Sequence, residues 1–327
     1  MAGRAFEIAQ KTSGPDDLPY ADAESTLGRI ATGQANFTRA EELLAHASET
    51  KKTVGGENSL LYAESLADLG SLYISKRDNI RAEEFSAQAQ EMMEKLLGPN
   101  HLKVAVLLHS RGLVAYRRKD YSTAETFYQR SLAIKQKVLG PEHPWLGATL
   151  NNLGLLYWQQ ADNYSKAAEY FRRAEIIFEK FDGPESLPVA QALGNLGIMA
   201  KLSGDYKGAE ESYKRALAIM EKLNGPNHLT TLVMVESLGI LYRDHGDYAK
   251  AEPYLIRALQ IAKDSRGPDH PEVARILRNL AHLYSAAGNP VRARECWWEA
   301  VSIEEKDLPL NLAIGSERQK IAFFDPY

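Results

Sequence analysis

Glycine recurs along this chain at a fixed interval, and that interval constrains the architecture more than any other feature. Gly14, Gly56, Gly98, Gly140, Gly183, Gly225 and Gly267 stand 42 or 43 residues apart, and most are followed by proline. A second register, Gly28, Gly70, Gly112, Gly154, Gly197, Gly239 and Ala281, repeats with the same spacings. Two independent registers at one period mean that a single unit has been copied along the chain. Such a unit cannot bury an apolar face alone. Stacked on its neighbours it shares a continuous core, so the period predicts a solenoid. A length of 327 residues would otherwise suggest two domains. A solenoid has no single core to outgrow, and the repeat overrides that expectation.

The stretch from Gly140 to Gly183 shows what one unit is made of. Gly140-Pro141 stops a helix, because glycine accepts a left-handed C′ conformation and proline cannot continue the helix. Pro144 suits the first turn of the next helix, where its missing N–H costs little. Leu146, Leu150, Leu153 and Tyr157 follow at helical spacing and give this first helix an apolar face. Asp162-Asn163-Tyr164 breaks it. Ala167, Phe171, Ala174 and Phe178 then mark the apolar face of a second helix. Each repeat is expected to be a helix pair, with helices of roughly 15–18 residues and about 25 Å.

Small residues carry the strongest structural signal. A glycine within a helix destabilises it by about 1 kcal/mol relative to alanine. Yet glycine recurs inside the first helix of six repeats, with Ala281 in the seventh. Ala40, Ala82, Ala124, Ala167, Ala209, Ala251 and Ala293 share one position on the second helix. Close approach accounts for both, with the bare site on the first helix expected to face the methyl on the second.

These residues resemble the tetratricopeptide repeat. The first helix carries Leu-Gly-x-x-Tyr (Leu153, Gly154, Tyr157; Leu238, Gly239, Tyr242). The second carries an aromatic residue, Ala-Glu and another aromatic residue (Tyr121, Ala124, Glu125, Tyr128; Tyr206, Ala209, Glu210, Tyr213). The period exceeds the usual 34 residues. It is similar to the longer variety of kinesin light chains and bacterial scaffolds, whose linker reads Gly-Pro-x-His-Pro. HEAT and armadillo arrays have a comparable period but not this Gly/Tyr/Ala-Glu signature. The resemblance implies an all-α, right-handed superhelical solenoid of antiparallel helix pairs. It would comprise seven repeats over residues 14–305, a half-repeat at 1–13 and a capping or connecting segment at 306–327.

Both ends depart from the pattern. Arg4, Ile8, Gln10 and Lys11 align with Arg130, Ile134, Gln136 and Lys137, so the chain opens partway through a repeat. A capping half-repeat and a segment of a longer protein account for this equally well. Near the other end, Ser316 with Gln319 is a capping-box signature, and a short helix through Phe324 is expected. The run from Asn311-Leu312 through Gly315-Ser316-Glu317-Arg318-Gln319-Lys320 is similar to the connector leading into the caspase-like CHAT domain of bacterial proteins. That resemblance implies a sensor and scaffold part without the protease.

Composition removes several function classes. The formal net charge of −4 supplies no electrostatic footprint for nucleic acid. The densest basic cluster, Arg117-Arg118-Lys119, reads as a solvated helix end. No apolar run approaches the length of a membrane span. The single cysteine, Cys296, excludes an intramolecular disulfide framework and fits a reducing, cytoplasmic compartment. His101, His143, His228 and His270 each follow a linker glycine by three residues. They lie one repeat or more apart, too far to share a metal, and read as residues that fix the start of a helix. Cys296 and His282 fall on different helices and make no nucleophile pair. One ring of Trp297-Trp298 is expected in the core. No cofactor, metal or catalytic constellation is expected, and the chain reads as a non-enzyme.

Function is then expected on the face of the first helices opposite the packing stripe, which the family resemblance makes the lining of a concave groove. That face presents Glu64 and Asp68, then His109, Tyr116 and Arg117. Asn151, Asn152, Leu155, Trp158 and Gln159 follow, then Asn195 and Lys201. Glu236, Arg243, Arg275, Arg278, Asn279 and His282 complete it. Asparagine both donates to and accepts from an extended backbone. Asn152, Asn195 and Asn279 share one repeat position, resembling the clamping asparagines of peptide-binding family members, although Thr26, Asp68, Ser110 and Ser237 interrupt the ladder. Tyr116 and Trp158 are candidate anchors. Lys201, Arg243, Arg275 and Arg278 bias the later groove toward acidic segments. The reading is an interaction scaffold for a peptide or protein, with self-assembly through the ends as the alternative.

Overall fold

The structure is a computed structural model that describes residues 14, 16–160 and 163–314, with side chains through 306. The segment before Gly14 and the expected helix from Ser316 lie outside the described residues. Among the described residues the fold is all-α, with no strand.

Fourteen α-helices among the described residues alternate as first and second members of seven pairs. The pairs are α1 (Leu18–Gly33) with α2 (Phe37–Gly55), α3 (Leu60–Ser75) with α4 (Asn79–Leu97), and α5 (Leu102–Arg117) with α6 (Tyr121–Leu139). A 3₁₀ turn at Pro144–Leu146 leads into α7 (Gly147–Gln159), which precedes α8 (Tyr164–Asp182). The remaining pairs are α9 (Leu187–Leu202) with α10 (Tyr206–Asn224), α11 (Leu229–Asp244) with α12 (Tyr248–Arg266), and α13 (Pro271–Ala286) with α14 (Pro290–Ile314). Second helices α2 to α12 run to 19 residues, slightly beyond the sequence estimate.

The repeat punctuation has a clear local chemistry. Gly140 takes φ 92° and ψ 162°, an extended conformation at positive φ that a side chain would forbid, in place of the expected left-handed helical one. The linker histidines begin the next helix as expected. The Nδ1 atoms of His101 and His143 accept from the N–H groups of Lys103 and Trp145 at 3.2 Å. His228 and His270 do the same for Thr230 and Glu272. Within a pair, a side-chain cap starts the second helix, as where Asp120 accepts from the Thr123 N–H at 3.2 Å.

The contacts divide the chain into two compact units, Met1–Ile177 and Phe178–Tyr327, with the boundary inside α8. In the first unit, α1 packs on α3, α3 on α5 and α5 on α7, contacts that successive second helices do not match in extent. The first helices therefore lie on the inside of the curve there. Leu66, Val104, Leu108, Ile134, Leu44 and Leu72 are among its buried side chains. In the second unit a continuous core joins Val189, Tyr213, Leu232, Leu238, Leu255, Ile276 and Ile303.

The glycine column works by a contact other than the expected one. A Cβ built on Gly154 would stand 2.5 Å from the Phe171 ring, and one on Gly197 the same distance from Tyr213. Gly112 meets Tyr128 and Gly239 meets Leu255 in the same way. The facing residue lies four positions beyond the repeated alanine. The bare site thus accommodates the side chain crossing from the second helix, large in five repeats and Ser86 opposite Gly70, while the alanine is buried independently, at 0% exposure in six repeats and 7% at Ala293. Trp297 occupies the corresponding position opposite Ala281. At 39% exposure it stays outside the core, as does Trp298 at 68%, contrary to the expectation of one core ring. Trp297 instead meets the His282 ring edge-on at 5.4 Å.

A hydrogen bond between repeats explains the Tyr and Ala-Glu signatures together. The hydroxyls of Tyr73, Tyr242 and Tyr284 donate to Glu41, Glu210 and Glu252 of the preceding repeat at 2.7–2.8 Å. Tyr157 donates to Glu125 likewise. Arg81, Lys166, Lys250 and Arg292 lie over the same four rings. Where the tyrosine is Ala200, the residue that would accept is Ala168. Where it is Ala115, Glu83 turns instead to the guanidinium of Arg111. Donor and acceptor are lost together at Ala200 and Ala168, whereas Glu83 is kept and re-paired.

Candidate functional site

The inner face of the first unit carries a polar group that the apolar stripe does not require. His109 projects from α5, Lys135 and Tyr128 from α6, and Thr149 and Asn152 from α7. The Lys135 ammonium donates to Thr149 Oγ1 at 2.8 Å, and His109 Nδ1 lies 3.1 Å from the same oxygen. His109 Nε2 lies 3.5 Å from the Asn152 amide nitrogen, which can only donate, so Nε2 accepts. That places the ring proton on Nδ1, which donates to Thr149 Oγ1. Tyr128 hydrogen-bonds Asn152, and its ring lies 5.6 Å from that of His109.

Burial sets the electrostatics of this group. Lys135 is 5% exposed, and among the described residues no carboxylate lies within ion-pairing distance. Desolvation lowers its ammonium to about 8. Desolvation, and then the nearby Lys135 charge, lower His109 to about 4, so the imidazole is neutral near pH 7. Lys51, at the equivalent repeat position, has the counterion that Lys135 lacks: it lies 2.9 Å from Asp22 and donates to Ser25 at 3.0 Å.

The other expected groove residues of this unit are distributed around that centre. Asn151, Leu155 and Trp158 are half-buried, and Gln159 is exposed. Tyr116 hydrogen-bonds Gln159 and lies 5.8 Å, ring to ring, from Tyr121. Arg117 donates to the Ile74 carbonyl at 2.7 Å.

In the second unit the expected basic residues are matched within the chain. Lys201 and Arg243 both meet Asp244 at 2.7 Å. Asn279 donates to the buried Glu236 at 2.8 Å and lies 3.4 Å from the Arg243 guanidinium. Arg275 also pairs with Glu236, and Arg278 with Glu304. Asn195 is half-buried and engaged. These cations are already neutralised, so their count overstates the pull on an acidic partner.

Sequence reasoning found His109 and Asn152 but missed Lys135 and Thr149. Lys135 stands five residues before a linker glycine, where other repeats place Met93, Met220 and Ala262. A lysine in a column that is apolar in every later repeat, Lys51 being its one precedent, was the available signal. Reasoning also passed over a cavity of about 530 Å³ in the first unit, lined by Asp22, Arg29, Lys51, Glu64, Asp68 and Lys103 among others. Among the described residues, no group of three or more His, Cys, Asp or Glu is placed to hold a metal, and no helix is long and apolar enough to cross a membrane.

Repeated antiparallel helix pairs, with a glycine of the first helix meeting a side chain of the second in six of them, define a helical-repeat protein. The tetratricopeptide repeat family model matches residues 61–137, 103–180, 161–222, 188–264 and 229–303, and the chain belongs to that family. No curated protein matches the sequence. Among solved structures the chain is similar to BtubC (BKLC) from P. vanneervenii, at 24% identity and TM-score 0.60, covering 70% of this chain and 91% of that one. It is also similar to the Signal Transduction ATPase with Numerous Domains protein with a tetratricopeptide repeat sensor from Pyrococcus horikoshii. There the identity is 18% and the TM-score 0.71, over 90% of this chain and 43% of that one. A third is the Rap conjugation gene regulator of the plasmid pLS20 in complex with a Phr peptide, at 18% identity and TM-score 0.53, over 92% and 78%. At these identities the likeness is one of fold.

Proposed function

We propose that this chain is a non-enzymatic interaction scaffold that binds a segment of another protein along the face of its first helices. The observation that carries the reading is the group around Lys135. A 5%-exposed ammonium without a carboxylate is expensive to bury. Beside a neutral imidazole and an asparagine amide, it offers donors on the inner face of the first unit. A partner's carbonyl or carboxylate oxygens would complete that group, and Asn152 would align the partner's backbone. The similar Rap regulator was solved with a peptide, which supports a peptide-sized partner.

The test is a peptide selected from a random display library against the whole chain, its affinity then measured by calorimetry. Asn152→Ala is expected to weaken binding about tenfold, the scale of one well-placed hydrogen-bonding contact. A change at Lys207, which is 90% exposed on a second helix, is expected to leave it unaltered. Equal affinity for Asn152→Ala would sink the reading. A role as sensor for a caspase-like CHAT domain rests on the run from Asn311 to Lys320 alone. Self-assembly through the ends is favoured by Trp298, 68% exposed on α14. It would show as concentration-dependent mass in light scattering, abolished by Trp298→Ser.

A further inference from the structure

The cavity of the first unit holds three carboxylates in unequal states. Asp22 is matched by Lys51 at 2.9 Å, and Glu64 by Lys103. Asp68 differs. Its side chain is 17% exposed, and among the described residues only Arg29 comes within ion-pairing distance, at 3.7 Å, too long for a hydrogen bond. Arg29 is itself 59% exposed, so this pairing is weak and readily exchanged. Asp68 is a largely desolvated carboxylate facing an open cavity, and among the described residues no donor hydrogen-bonds it.

The surrounding walls favour the same kind of guest. The hydroxyls of Thr26 and Ser71 donate to the carbonyls of Asp22 and Ala67, each at 3.0 Å. With their hydrogens engaged, both act as acceptors, Thr26 already taking a long 3.4 Å hydrogen bond from the Arg29 guanidinium that a guest would displace. Met93 and the 4%-exposed Leu107 supply an apolar surface for a stem. Acceptors around a carboxylate above an apolar floor suit a cation carried on an aliphatic chain.

We propose that this cavity binds a basic side chain, lysine or arginine, of a partner polypeptide, with Asp68 as its counterion and Arg29 displaced toward solvent. The site is separate from the Asn152 group and does not require it. Burial raises the Asp68 carboxyl to about 6, with Glu64 acting in the same direction and Arg29 and Lys51 opposing. Asp22 and Lys103 are the other charged groups facing it, and each is held by its own partner. Binding is therefore expected to weaken as pH falls through 6.

The experiment titrates the whole chain with the capped tripeptide acetyl-Gly-Arg-Gly-amide at neutral pH, followed by backbone amide chemical shifts. Free agmatine and the tripeptide with glutamate at its centre serve as comparison probes. Saturable shifts around Asp68 with the arginine peptide are expected. Asp68→Asn removes the charge without breaking a hydrogen bond and should weaken binding about tenfold. Arg29→Ala removes the internal competitor and should tighten it several-fold, which a merely structural role for Asp68 would not produce. Asn152→Ala should have no effect, so failure of the scaffold reading would not imitate failure here. Equal binding to Asp68→Asn, preference for the glutamate peptide, or binding of agmatine without the arginine peptide would each overturn the assignment.

Discussion

One carbon atom decides the packing at Gly154, where an added Cβ would stand 2.5 Å from the edge of the Phe171 ring. Phe171 is fully buried and has no direction in which to withdraw. Gly154→Leu is therefore expected to destabilise the fold by about 1–3 kcal/mol through overpacking, read as a lower thermal midpoint. Adding Phe171→Leu should recover part of the loss. The polar residues of the same unit make a second prediction. His109 is lowered to about 4, so the unfolded chain binds its proton first as pH drops below the ordinary value. Its contribution is complete above about 6.5 and is lost as pH falls toward 4. Lys135, lowered to about 8, acts at the other end. Its burial penalty is full below 8 and relaxes as pH rises toward its ordinary value of 10.5. Lys135→Met should thus be more stable at pH 7 by on the order of 1 kcal/mol. That margin should shrink between pH 8 and 10.5 in paired urea titrations. A constant margin would remove burial of the charge as its cause.

Between elements, the Tyr–Glu bond ties one hairpin to the next within each unit. Tyr157→Phe removes the donor to Glu125 and is expected to destabilise the first unit by about 1 kcal/mol. The combination with Glu125→Gln should lose less than the sum of the single changes in a double-mutant cycle. The pairs Tyr73–Glu41 and Tyr242–Glu210 should respond alike. Much of this level was legible in the sequence, because apolar periodicity, helix caps and linker residues are local properties. The histidines at helix starts, the apolar face from Leu146 to Tyr157 and the pairing of helices all followed from spacing. The partner of the glycine did not. The sequence reading set the alanine column opposite it, and only the crossing of the helices selects the residue four positions further on. The fate of Trp297 and Trp298 was hidden for a related reason, since their position in the repeat does not reveal whether another helix covers them.

Over the whole chain, the period identifies the fold, but it carries less information about the site. Lysine and arginine were legible as residues on a face, whereas their counterions were not. Asp244, Glu236 and Glu304 neutralise cations that the sequence presented as available. Lys135 escaped notice because a buried charge is read from sequence as an apolar position that happens to be lysine. What the proposal requires of the molecule is a division of labour: first helices meet the partner, and second helices hold the stack. Amide hydrogen exchange of the chain, with and without its selected peptide, tests that division directly. The account predicts slowed exchange in α5 and α7, around His109 and Asn152, with α6 and α8 protected no further than in the free chain. Protection concentrated on the second helices or the linker edges, with α5 and α7 unchanged, would contradict it.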